Sequence, residues 1–100
     1  MILYNLTCHI ERSIDQIFKD WVKDYFLPQL LDSNFLEDAF LLKLLTEIDD
    51  QTNTYSIQIK FKSIIYYQQF QLEFEENILN EIQQKFVGKI FTFSTLLETI

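Results

Sequence analysis

The sequence predicts a single α+β domain over residues 1–100, with two helices on one face of a four-stranded antiparallel sheet, in the order β-α-β-β-α-β. Two patterns carry the prediction. Residues 2–10 and 54–62 alternate in side-chain character with the period of two expected of half-buried strands. Residues 14–31 and 64–86 instead place apolar residues three or four apart, the spacing of a helix with one buried side. A chain of 100 residues fits one domain and buries roughly 60–70% of its unfolded surface, enough for a core without staples.

The first strand carries Ile2, Tyr4, Leu6, Cys8 and Ile10 on one face and Leu3, Asn5, Thr7 and His9 on the other. Ser13 and Gln16 have the spacing of a capping box at the start of a helix. The stripe that follows is Ile14, Ile17, Phe18, Trp21, Val22 and Tyr25, then Leu30 and Leu31, with Phe26 and Leu27 off it. Pro28 removes one intrahelical bond and predicts a kink or break just before it. Asn34 is expected as a left-handed cap.

Residues 35–48 read as a long second strand, apolar on both faces: Leu36, Phe40, Leu42, Leu44 and Ile48 against Phe35, Ala39, Leu41 and Leu45. A polar turn at 49–53 makes a hairpin with the third strand, whose Tyr55, Ile57, Ile59 and Phe61 share a face. Ser63 is placed to cap the second helix, with the stripe Ile64, Tyr67, Phe70, Phe74, Ile78, Ile82 and Phe86. Unbroken, that helix would run about 36 Å and overshoot the sheet, so a break is expected near Glu75–Asn77. Gly88, the only glycine, is placed as the C-cap before a last strand at 89–98.

A split β-α-β repeat with right-handed crossovers gives the ferredoxin-like plait, with the first and third strands central. Parity directs Tyr4, Ile57, Phe91 and Phe93 toward the helices. The other face is then uncovered. It is expected to carry Leu3, Asn5, Thr7, His9, Ser56, Gln58 and Lys60 in the centre, with Ile90, Thr92, Ser94 and Leu96 on one edge strand and Ala39, Leu41 and Leu45 on the other.

Several residues also carry a resemblance. The opening run 2–7, Trp21 with Pro28 seven residues on, and the closing run 86–98 resemble a family of short bacterial proteins known only as a domain of unknown function. The family is similar to the dimeric α+β barrels, in which two plaits pair through their open faces. Many members have a His two residues before the proline, where this chain has Phe26, and a Gly where it has Asn34. The resemblance therefore implies a homodimer and removes one group that could have carried chemistry.

Composition narrows the function. A net charge of −7 with a single Arg, Arg12, argues against nucleic acid. The central strands also lack the exposed aromatics on which RNA-binding plaits stack bases. One Gly and one Arg leave no phosphate cradle. No apolar run approaches the roughly 20 residues of a membrane span, and no secretory leader is read, so the cytoplasm is expected and a membrane is not. The single Cys8 allows no internal disulfide and reads as a core residue, so neither a metal site nor a cofactor is expected.

Candidate ligand contacts are Asn5, Thr7, His9, Gln58, Lys60 and Thr92, which could converge as a polar patch for a small molecule. The plainer alternative is the wet centre of a dimer interface, and the two coexist if paired sheets enclose a cavity. His9 is the only residue whose ordinary pKa suits a base near neutrality. No triad or spaced carboxylates accompany it, so binding and assembly are expected ahead of catalysis. The alternative is a small enzyme acting on an organic molecule beside His9.

Overall fold

The computed structural model describes residues 1–46 and 49–100. Strand β1 (Ile2–Glu11) leads through a 3₁₀ turn (Arg12–Ile14) into helix α1 (15–31). Strands β2 (Asp38–Lys43) and β3 (Thr52–Phe61) form the hairpin, and helix α2 (64–85) leads to β4 (Ile90–Glu98). The sheet is antiparallel in the order β2-β3-β1-β4, so β1 and β3 lie in the middle. Element order, layering and strand order are those the sequence predicts.

The core forms between the helices and one face of the two central strands. Tyr4, Leu6, Cys8 and Ile10 of β1 and Ile57, Ile59 and Phe61 of β3 are fully enclosed there. Phe18, Val22 and Phe26 of α1 and Phe70 and Ile82 of α2 close on them from above. Phe61 packs against Phe70 and Tyr67 with ring centroids 5.1 and 5.6 Å apart, distances at which offset and edge-on aromatic contacts are favourable.

Neither helix breaks where the sequence suggests. Both continue through one π-helical turn, at Val22–Phe26 in α1 and at Gln71–Glu75 in α2, with helical backbone angles on either side. The cause lies in the spacing of the buried residues. From the end of the 3₁₀ turn through α1 these are Ile14, Phe18, Val22, Phe26 and Leu30, each four after the last. At 3.6 residues per turn, every such step overshoots by about 40°, so a plain α-helix would carry the far end of the stripe toward solvent. A π turn absorbs one extra residue and brings the stripe back. In α2 the buried Phe70, Ile78 and Ile82 with the partly buried Phe74 repeat the pattern, and Phe86 continues it just past the end of the helix.

Phe26 is consequently a core residue, while Ile17 and Tyr25, expected on the stripe, are 59% and 47% exposed. Pro28 sits in the first turn after the π segment, where the Leu27 amide bonds the Val22 carbonyl and the helix is already widened around the carbonyl of Asp24, with which the Pro28 ring would otherwise collide.

Three smaller expectations fail. The Ser13 hydroxyl bonds Glu11 and the Gln16 amide bonds Asp20, so no capping box forms. Ser63 stands at the N-cap but makes no side-chain cap bond. Asn34 is not left-handed; among the described residues only Gly88 has positive φ, at 76°, in the turn after α2.

The second strand is shorter than predicted. Phe35 and Leu36 lie in the loop before it and pack on the core, Phe35 edge-on to Phe74 at 5.4 Å. Ile48 lies outside the described residues.

The central strands face as predicted, but both edge strands are turned over. Ala39 and Leu41 sit opposite Ile59 and Ile57, on the helix side, which leaves Phe40 and Leu42 on the uncovered face. Ile90, Thr92, Ser94 and Leu96 sit opposite Ile10, Cys8, Leu6 and Tyr4, also on the helix side. Phe91, Phe93 and Leu97 therefore point away from the helices. The aromatic layer of Tyr4, Phe61, Tyr67 and Phe70 already fills the space under the helices. The edges accept smaller residues there, Ala39 and Thr92 among them.

Candidate functional site

The uncovered sheet face is built from alternate residues of all four strands. Its centre is Asn5, Thr7 and His9 of β1 with Thr54, Ser56 and Gln58 of β3. Phe40 and Leu42 flank one side, and Phe91, Phe93 and Leu97 the other. The three β4 residues are 64%, 47% and 48% exposed, too large an apolar row for one strand to leave in water without consequence.

Charge is nearly absent from this face. Of its strand positions only Glu11, Asp38 and Lys60 carry formal charge, and they sit at the ends, with Asp38 directly opposite Lys60 and Glu11 opposite Thr52. On a chain of net charge −7, that leaves a neutral patch inside a charged rim.

The polar centre is partly tied together. The Ser56 hydroxyl donates to the Asn5 side-chain oxygen, and the Asn5 amide approaches Thr7 at 3.5 Å. His9 Nδ1 lies 2.7 Å from the Thr54 hydroxyl, and its ring leans on Phe91 and Phe93 with centroids 6.2 and 5.8 Å away. Beside them lies a hollow of about 330 Å³, bounded by Asn5, Thr7, Ser56, Gln58, Leu42 and Leu44.

Of the predicted contacts, Asn5, Thr7 and Gln58 thus line one hollow. His9 stands next to it through Thr54. Lys60 shares the face at its far end. Thr92 does not belong: it points to the helix side, where its hydroxyl accepts a 2.7 Å bond from Gln83. Thr54, Ser56 and Leu42 were missed as site residues, although Thr54 and Ser56 share the parity of Gln58.

Other polar features are structural. Burial pushes the Cys8 thiol up to about 12, and it lies on the helix side, so it is no nucleophile at neutral pH. Asp15, at the start of α1, accepts from Tyr55 at 2.5 Å and Asn53 at 2.7 Å and pairs with Lys19 at 3.2 Å. Partial burial raises its pKa, but these partners outweigh it and hold the carboxyl below its ordinary range. A larger depression, about 540 Å³, is an open groove between the helices at Trp21, Tyr25 and Glu81, where the Tyr25 hydroxyl donates to Glu81 at 3.0 Å. Among the described residues no three metal-ligating side chains gather, and no helix is long and apolar enough to cross a membrane.

Comparison with known proteins bears out the resemblance read from the sequence. Residues 1–100 match the model of a family described as a domain of unknown function (DUF4286). A search of curated proteins finds no match. Among solved structures, a candidate antibiotic biosynthesis monooxygenase from Deinococcus radiodurans superposes with a TM-score of 0.71 at 8% identity, over 100% of this chain and 93% of that one. HapK from Hahella chejuensis gives 0.71 at 13% identity, with coverage of 100% and 93%. A dimeric ferredoxin-like protein from an uncultured marine organism gives 0.62 at 20% identity, with coverage of 100% and 97%. At such identities the likeness shows the ferredoxin-like fold.

Proposed function

We propose that this chain, which belongs to the DUF4286 family, is a cytoplasmic homodimeric binding domain whose two copies pair through their uncovered sheet faces. The observation that carries this reading is the neutral face itself. Two chains of charge −7 repel, and an interface is strongest where charged groups are absent from its centre and confined to its rim. This face has that layout, with apolar rows along both edges.

The area is sufficient. Strands of ten, ten, nine and six residues, at about 3.3 Å per residue and about 4.8 Å apart, present roughly 550 Å² per copy, so pairing buries about 1,100 Å², above the roughly 1,000 Å² a specific interface needs. One fold neighbour is itself described as dimeric. Sedimentation equilibrium at micromolar concentration tests the reading. A dimer is expected, and Phe93→Lys, which puts a charge in the apolar row, should return it to monomer. A strict monomer overturns the proposal.

A second reading is favoured by the hollow and by His9 beside it: a small enzyme acting on an organic molecule, with His9 as the proton-transferring group. The monooxygenase description of one fold neighbour agrees with this reading at the level of fold alone. His9→Ala should then abolish a ligand-induced thermal shift; an unchanged shift removes His9 from any such role.

A further inference from the structure

Gln58 is the unfinished residue of the uncovered face. Asn5 and Ser56 satisfy each other, and His9 meets Thr54, but the Gln58 side-chain amide makes no hydrogen bond among the described residues. It stands in the wall of the hollow, opposite Phe40 on β2 and Asn5 on β1. In a monomer, water completes it. Once a second copy covers the face, an amide left without partners is desolvated with nothing in return. The hollow, about 330 Å³, is at the small end of ligand pockets and far above the space one water needs.

We infer that the paired faces enclose a chamber for an uncharged, flat organic molecule bearing a hydrogen-bond donor and acceptor side by side, read by the Gln58 amide. The inference rests on the proposed pairing, because the hollow has no roof within one copy. The ligand is uncharged because the one ionised residue in the lining, Lys43, stands opposite Tyr55, a strand position whose side chain faces the helix side. An ion sealed there would lose its hydration without gaining a counter-charge. The ligand is flat and largely apolar because Leu42 and Leu44 form one wall, and Asn5, Thr7, Ser56 and Gln58 beside them offer hydroxyls and amides without charge. An amide binds best to an edge that both donates and accepts, as a carboxamide does.

The test uses the full chain with 2-naphthamide as probe and 2-naphthoate as its charged counterpart, followed by ligand-observed NMR and sedimentation. The dimer should bind naphthamide saturably and discriminate against naphthoate. Gln58→Leu, which adds no charge to the pairing face, should weaken naphthamide binding about tenfold or more, with sedimentation and circular dichroism unchanged. A dimer that binds neither probe, or that binds naphthamide equally well with Leu at 58, overturns the chamber and leaves the pairing standing. A monomer overturns the pairing and the chamber with it.

Discussion

The two faces of one sheet use the same strands to opposite ends. On the helix side, β1 and β3 contribute Tyr4, Leu6, Ile57 and Phe61, which are covered almost completely. On the other side they contribute Asn5, Thr7, Ser56 and Gln58, none of which anchors the fold. Stability is concentrated on one face and surface chemistry on the other. The aromatic residues show the division most clearly: Phe61 is fully buried, while Phe93, also a strand phenylalanine, is 47% exposed.

Truncating those two residues gives the largest expected contrast. Phe61→Ala opens a cavity beside the rings of Tyr67 and Phe70 and should lower unfolding free energy by about 3–5 kcal/mol in urea titration. Phe93→Ala should lower it by less than about 1 kcal/mol in dilute monomer, while weakening association. Equal losses at the two sites would erase the distinction between the faces.

The next effect is electrostatic. Asp15→Ala removes the acceptor of Tyr55 and Asn53 and should cost about 2 kcal/mol near neutral pH. Because the folded carboxyl titrates below its unfolded value, that stability is present above about pH 4 and is lost as pH falls through the folded pKa. Acid titration of both forms should therefore show the gap between them closing from about pH 4 downward.

The smallest effect has the opposite sign. The Tyr4 hydroxyl is buried and makes no close hydrogen bond among the described residues, only a weak interaction with the Ser94 side chain, and burial pushes its pKa up to about 12. Tyr4→Phe deletes that unmet group and should stabilise the fold by about 1 kcal/mol, read as a rise in thermal midpoint. A loss of stability would show that the hydroxyl is satisfied in solution.

What the sequence made legible follows from signal strength. The central strands bury one parity and wet the other, so their faces could be read directly. The edge strands could not be read this way. In β2 both parities are apolar. In β4 the larger residues, Phe91 and Phe93, point away from the core because the space under the helices is already occupied. That inversion takes Thr92 off the patch, whereas Asn5, Thr7 and Gln58, on unambiguous strands, lie together on it. The continuity of the helices was hidden by Pro28 and by helix length. The steps of four from Phe70 to Phe86 held the clue, since strict fours do not fit 3.6 residues per turn.

Those π turns also bear on how the chain tolerates changes in length. Each holds one residue more than a plain helix needs. Removing Asp24 or Glu73, both solvent-facing, lets the turn relax to ordinary α geometry while the stripes before and after it keep their faces. Removing a residue one turn earlier, such as Asp20, shifts the stripe out of register before the π turn can absorb the change. Homologues that differ by a single residue within either helix should have gained or lost it at these two turns.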